Sequence, residues 1–423
     1  MQSTPHIMKT IAGLWKTVRY YKHDSDFFLL VDFLVDICGY YPPKWNPFAL
    51  FAWRILKVGQ LIQYTFYGYH CYLSAAKWRN ILYFSLNINL FVGLSVGLFR
   101  GLALAYYHDD LVRLKHFMNS RNCGKDDAKA NYSRKLHFWA NNRLVLIGST
   151  ILVLNAIHWC LTTAFTEDLF QIPFSLEFLP SSVANVIIYY YSFQMLIQNL
   201  GYWQSFFQFG LMLSLLKNEL LILSDYFESV YDRAFQVCCD NDLELKYEDS
   251  STASKMWVAI RTDFIRAAAY HSDYIDHINL LKKVTYISFL VLLSATAIFV
   301  TLNSFLCVID FSSDALGLLV FGSICGMECF FICRFLDELD EINQDLGMKA
   351  YAMDWMTSIT VPRRNMEDYR IVKRTALIVQ AQAQQGFGFR AGGMFDMNLE
   401  MFMQIMKMCY SLITFLMQTQ ESE

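Results

Sequence analysis

The sequence predicts an all-α membrane protein: seven transmembrane helices, the N terminus inside, the C terminus outside, and a helical anchor bundle on the cytoplasmic side. Three observations predict it. Hydrophobic residues fill 55% of the 423 positions and charged residues only 17%, against about 25% charge in ordinary soluble domains. Seven apolar runs are near the roughly 20 residues that a helix needs to cross a hydrocarbon core about 30 Å thick. Lysine and arginine crowd into alternate connections between those runs, the pattern that fixes orientation.

The first 28 residues are polar and carry Lys9, Lys16, Arg19 and Lys22. No apolar core with a small-residue cleavage site occurs there, so no signal peptide is expected and the first span acts as its own targeting signal. Ile7, Ile11, Leu14, Trp15 and Val18 recur at helical spacing. They read either as an interfacial helix on the membrane or as an amphipathic helix packed on protein.

The predicted spans are 48–73, 81–107, 143–165, one beginning near Ser182, 284–309, 315–333 and 394–417. No charged residue occurs from Phe178 to Leu216. A helix that long measures about 60 Å, twice the bilayer core. Breaking it near Asn199-Leu200-Gly201 would give two spans. It would also place the eight basic residues of 217–283 outside. With one long helix the basic segments fall on one side: 1–44, 108–135, 217–283 and 334–390 are rich in Lys and Arg. The connections after the third and fifth spans hold none. The basic side faces the cytoplasm.

The inside segments carry their own apolar stripes. One comprises Ile260, Phe264, Ala268, Ile275, Ile278 and Leu281; a second Leu336, Leu339, Ile342 and Leu346; a third Met366, Tyr369, Val372, Ala376 and Val379. Such stripes need partners. They predict a cytoplasmic bundle made of extensions of spans four to six plus one helix before span seven. The organisation expected is therefore 1–47 as an N-terminal segment and 48–333 as spans one to six, with extensions at 204–283. Residues 334–393 form anchor helices and 394–423 the last helix and tail. The polar, acidic stretch Cys239–Ser254 reads as a loop.

Several function classes are excluded. A net charge of −3 gives no nucleic-acid footprint, and no Gly-rich phosphate loop, HExxH or paired CxxC is present. No enzymatic activity, cofactor or metal is expected. The eleven cysteines show no disulfide framework. Cys325, Cys329 and Cys333 share a helix face and read as small residues at a helix contact. A membrane enzyme would need a surface cluster such as His108-Asp109-Asp110, which reads more simply as a solvated turn. The sequon Asn131-Tyr132-Ser133 falls inside and should stay unmodified.

The C-terminal stretch reads Ala391-Gly392-Gly393-Met394-Phe395, then Leu399, Phe402, Ile405, Lys407, Tyr410-Ser411, Thr414 and Leu416, with Trp355 and Gln380 to Gln385 upstream. Over about 70 residues it resembles the last cytoplasmic helix and final span of insect odorant receptors. Chain length, seven spans and an inside N terminus agree. A G-protein-coupled receptor would place its N terminus outside and carry Asp/Glu-Arg-Tyr and Asn-Pro-x-x-Tyr motifs, which have no match here. The resemblance implies a four-subunit, ligand-gated, non-selective cation channel. It further implies one central pore lined by the last helices, subunit contacts made mainly by cytoplasmic helices, and partnership with a shared co-receptor. Cys409-Tyr410-Ser411 fits an odour-specific tuning subunit rather than the co-receptor. It departs from the Thr-Tyr of gustatory receptors, the alternative of the same fold. The plasma membrane of olfactory sensory neuron dendrites is the implied location.

Candidate site residues follow. Ile413, Leu416, Met417 and Gln420 lie on one helix face, which the resemblance makes the pore lining, with Ile413 as the gate. The resemblance also puts the odour site in the outer halves of spans two to five. There Tyr83, Leu86, Asn87, Leu90, Leu152, Asn155, Trp159, Tyr189, Ser192, Ile298 and Thr301 supply large apolar groups and a few polar ones, the lining a small volatile ligand wants. Asn87 and Asn155 stand out, because an amide in lipid surroundings needs a partner. Lys407 faces a vestibule or snorkels to the inner interface. Glu328 is either protonated or paired with a neighbour such as Lys407.

Overall fold

Long apolar runs bounded by polar connections fold into long helices. In the computed structural model, residues 20–22, 25–42, 47–77, 81–125, 127–162, 178–239, 250–309, 313–351, 361 and 363–421 are described. Among them are eleven α-helices, a 3-10 turn at Arg363–Asn365 and one two-stranded hairpin. The helices are α1 (Leu29–Ile37), α2 (Pro47–Lys77), α3 (Ile81–Tyr106), α4 (His108–Ser120), α5 (Ala128–Thr162), α6 (Ser181–Glu228), α7 (Val230–Cys239), α8 (Ser250–Ile309), α9 (Ser313–Tyr351), α10 (Met366–Gln384) and α11 (Leu399–Glu421). The proposed N-terminal interfacial helix and Trp355 lie outside the described residues.

Among the described residues five helices are long and apolar enough to cross a membrane: Asn87–Tyr106 in α3, Leu200–Glu228 in α6, Ala253–Ile309 in α8, Ala315–Tyr351 in α9 and Leu399–Thr419 in α11. The first and third predicted spans exist as helices of 31 and 35 residues. Arg54 and Lys57 in α2, and Lys129, Arg134, Lys135 and Arg143 in α5, dilute their apolar character. Helix α6 runs unbroken through Asn199-Leu200-Gly201. At 1.5 Å per residue its 48 residues measure about 72 Å, and the 60 residues of α8 about 90 Å.

One end of the bundle is polar outside and apolar within. There α8 buries Trp257, Ile260, Phe264, Tyr274, Ile278 and Leu281, α9 buries Leu336, Leu339 and Leu346, and α10 buries Val372, Ala376 and Val379. Met366 departs from its stripe and is exposed. All three stripes meet inside this one chain, so α10 presents a different face, with Leu377 and Ile378, to the surroundings. Arg134 of α5 makes a two-pronged ion pair with Glu219 of α6 at 2.7 Å and donates to the Cys123 carbonyl at 2.6 Å. Tyr270 reaches the same carboxylate at 3.4 Å. Both carboxylate oxygens and two of the three guanidinium nitrogens are engaged, while Arg134 Nη1 has no partner among the described residues; such pairing is what makes a buried ion pair tolerable.

Three expectations change, and the sequon gains a structural setting. His108-Asp109-Asp110 is not a free turn but the start of α4, where acidic groups suit the positive helix end; Asp110 pairs with Lys283 at 2.9 Å. The 239–254 loop is shorter, because α8 already begins at Ser250, in the Ser-Ser-Thr run suited to a helix start. The last helix begins at Leu399 and not at Met394, because a hairpin intervenes. The sequon lies within α5, where Ser133 donates to Asn218 at 2.6 Å.

Candidate functional site

Helix α3 carries three polar side chains that tie it to three neighbours. Asn87 is fully buried and donates to Ser74 of α2 at 2.9 Å. Asn89 donates to Asn303 of α8. Arg100 meets Glu328 of α9 at 3.0 Å, both being nearly inaccessible. It also donates to the Tyr202 carbonyl of α6 at 3.1 Å, and its guanidinium sits 4.4 Å from the Tyr202 ring centre. The Tyr202 hydroxyl lies 3.5 Å from the Cys325 thiol. One ion pair thus joins α3, α6 and α9 within their apolar halves. A guanidinium suits this, since it is planar, stacks on rings and offers donors in several directions.

Helices α8, α9 and α11 enclose a half-open cavity of about 370 Å³. Its walls include Val300 and Asn303 of α8, Gly322 and Gly326 of α9, and Phe402 and Met406 of α11. Gly322 and Gly326, four apart, lack the side chains that would fill it. No group of three or more His, Cys, Asp or Glu side chains able to hold a metal occurs among the described residues.

The link from α10 to α11 is built tightly. Strands β1 (Arg390–Ala391) and β2 (Phe395–Asp396) pair antiparallel, and Arg390 bonds Asp396 across them at 2.9 Å. Their turn places Gly392 at φ +58° and Gly393 at φ +74°, backbone that only glycine adopts readily. The Gly392 N–H donates to the Tyr286 carbonyl of α8 at 2.8 Å. A side chain on Gly392 would strike Leu290, and one on Gly393 the Tyr286 hydroxyl. Two carboxylates of α9 complete the hold: Asp340 accepts from the Phe387 N–H at 2.6 Å and Asp337 from the Leu399 N–H at 2.9 Å. The second satisfies a first-turn donor of α11 that has no partner within the helix.

Beyond its first turns, α11 is thinly covered. Ile405 and Cys409 are buried, Ile413, Leu416 and Met417 half-buried, and Lys407, Tyr410, Leu412 and Phe415 exposed.

Comparison with known proteins agrees with this architecture. The sequence profile of the 7tm odorant receptor family matches residues 80–410. The chain belongs to that family. The solved structure of the insect olfactory receptor OR5 from Machilis hrabei in complex with eugenol is similar with a TM-score of 0.70 at 13% identity, covering 94% of this chain and 99% of that one. The structure of the same receptor given without a ligand is similar at the same score and identity, covering 93% and 100%. No curated protein sequence matches the chain.

In this odorant receptor six of the eleven residues expected around the ligand have described side chains. Asn87 is tied to Ser74. Thr301 is buried on the side of α8 that faces Cys409 of α11. Leu90 and Leu152 are half-buried. Tyr189 is 61% exposed and Ile298 38%. The side chains of Tyr83, Leu86, Asn155, Trp159 and Ser192 lie outside the described residues, as does that of Gln420. Glu328 pairs with Arg100 and not with Lys407. Sequence reasoning missed Arg100 as that partner and missed Asn89 with Asn303. A signal was available: Arg100, Glu328, Asn89 and Asn303 are polar residues in apolar helices, which seldom stay unpaired. Cys325, Cys329 and Cys333 are buried along α9, as their shared face implied.

Proposed function

We propose that this odorant receptor is the odour-specific subunit of a heteromeric, ligand-gated, non-selective cation channel. It would work with co-receptor subunits in a tetramer in the plasma membrane of olfactory neuron dendrites. The observation that carries the reading is α11. It is a 23-residue apolar helix held firmly at its first turn, with large side chains left uncovered along the rest. In a lone subunit that surface has no use. Around a central axis it meets its counterparts. The chain would cross the membrane seven times, with α2 and α5 as the first and third spans, the N terminus inside and the polar bundle in the cytoplasm. The division at 47, 333 and 393 belongs to the same proposal.

Ile413, Leu416, Met417 and Gln420 would face the pore, with Ile413 forming an apolar ring that stays dry when narrow. Small volatile ligands would bind in the outer half among α3, α5, α6 and α8, at Tyr83, Leu86, Asn87, Leu90, Leu152, Asn155, Trp159, Tyr189, Ser192, Ile298 and Thr301. That one similar receptor was solved with eugenol, a small aromatic molecule, supports this ligand class. Ligand must favour the open state by binding it more tightly.

The test is Ile413→Ser in cells that also express the co-receptor. Leak without odour, or altered ion selectivity with unchanged odour preference, is expected. Unchanged leak and selectivity, with an Ile413→Cys thiol inert to added reagent in both states, refutes the pore assignment. Labelling of intact cells at a C-terminal tag and not at an N-terminal one tests the orientation.

A further inference from the structure

We propose that the cavity between α8, α9 and α11 is a second binding site, for an apolar molecule or chain that carries one hydrogen-bond-accepting oxygen. The site is distinct from the odour region proposed above. Asn303 is fully buried, and its carbonyl oxygen accepts from Asn89. Its Nδ2 has no partner among the described residues. Asn303 is one of the residues that line the cavity. It lies over Gly322, where a side chain would come within 3.1 Å of Nδ2. The missing side chain leaves only the Gly322 backbone beside the donor. An amide fixed by one bond, with its second edge unpaired beside an apolar cavity, selects a single acceptor.

Most of the rest of the lining is complementary to hydrocarbon, the exceptions being Ser304 and Ser323; the Ser323 hydroxyl donates to the Leu319 carbonyl at 2.8 Å. Val300, Met327, Phe330, Phe402 and Met406 supply aliphatic, thioether and aromatic surface. Methionines adapt to irregular apolar shapes. The volume of about 370 Å³ sits near the lower end of the range of about 300–1,000 Å³ for small-molecule sites. Met327 and Phe330 of its wall are exposed on the outside of the bundle. A ketone, an ester or the ester end of a lipid chain could enter there from the bilayer. Phe402 and Met406 belong to α11, so an occupant touches the last helix directly.

The experiment is photolabelling of the full-length receptor, co-expressed with its co-receptor in membranes. Three probes are used: a diazirine-bearing medium-chain methyl ketone, the diazirine alkane of equal length, and a phosphatidylcholine with the diazirine beside its ester. The ketone is expected to label peptides containing Met327 or Met406 saturably and more strongly than the alkane. Gly326→Leu should abolish that labelling. A side-chain carbon there meets only Val300, at 3.7 Å, so the added bulk enters the cavity without shifting the backbone. Asn303→Leu should raise the half-saturating concentration by roughly three- to ten-fold, the loss of one neutral hydrogen bond. Asn89→Leu breaks the same interhelical bond but keeps the Asn303 donor, and should shift the half-saturating concentration less than Asn303→Leu does.

Labelling of the same peptides by the phospholipid, displaced by free ketone, supports the site and identifies lipid as its resident occupant. Equal labelling by alkane and ketone, no response to Asn303→Leu, or an equal response to Asn89→Leu overturns the proposal. Any accompanying change in current rests on the channel reading; the labelling does not.

Discussion

Glu328→Leu tests the packing of the apolar half most sharply. The variant leaves the Arg100 guanidinium buried with only the Tyr202 carbonyl and ring as partners. Breaking a buried pair from one side costs about 3–5 kcal/mol, because a charge is stranded. That is a hundred- to several-thousand-fold change in the folded population, and about a fifth or more of the roughly 5–15 kcal/mol that holds a typical domain together. Arg100→Leu should cost less, since a stranded carboxyl escapes by taking a proton. The double variant Arg100→Leu/Glu328→Leu removes both charges and should recover most of the loss, because apolar replacements of a buried pair are often neutral or better. The assay is thermal unfolding of the full-length receptor in nanodiscs, together with its surface fraction in cells. The expected order is Glu328→Leu lowest, Arg100→Leu between, and the double variant close to the original. Lys407→Leu should leave the melt unchanged, because Lys407 is exposed and not the partner. A double variant as unstable as the two single losses combined would refute the reasoning, as would a Glu328→Leu melt equal to that of the original.

Gly392→Ala should destabilise the receptor by about 1–3 kcal/mol, from the left-handed backbone and the clash with Leu290. Adding Leu290→Ala should relieve only the clash, which the same melt reports. His271, on the part of α8 beyond the apolar span, is pushed below its ordinary 6.5 by burial, against an opposing hydrogen bond with Asn343. The unfolded chain then binds a proton that the folded chain refuses. Stability from this group is complete above about pH 6.5 and falls as pH drops toward the lowered value. His271→Gln should flatten the difference between melts at about pH 7.5 and about pH 5.5. Ala376→Asp puts a charge inside the chain's own bundle and should reduce folded receptor, whereas Ile378→Asp, on the exposed face of α10, should spare folding and reduce co-purification with the co-receptor. If Ala376→Asp leaves folding intact and Ile378→Asp leaves co-purification intact, the assignment of the two faces is wrong.

The sequence showed the helices because each is long, and its apolar period either surrounds it or repeats along one face. The 39-residue charge-free stretch to Leu216 could be read as one rod, since splitting it put Lys217–Lys283 on the wrong side. The hairpin was not legible. Gly392-Gly393 announces a turn, but two-residue strands have no period, and what fixes them is the Tyr286 carbonyl, more than 100 residues away in sequence. Glu328 was legible as a charge needing a partner, yet no spacing rule links positions 100 and 328; only the helix packing does. The three apolar stripes showed that α8, α9 and α10 need cover. They could not show that the cover is mutual within one subunit, because an apolar face looks the same whether its neighbour is internal or external.

The clamp on the α10–α11 link makes the last helix a lever pinned at one end. Asp337 holds its first residue and the hairpin is bound to the α8 backbone, while nothing comparable restrains the other end among the described residues. Position 413 lies 14 residues from Leu399, or about 21 Å along the axis. A tilt of about 10° about the pin would carry it sideways by about 3.7 Å while moving the first turn hardly at all. Displacement grows with distance from the pivot. A small rotation, too slight to disturb the glycine turn or its carboxylate holds, therefore produces its largest shift at the unpinned tip.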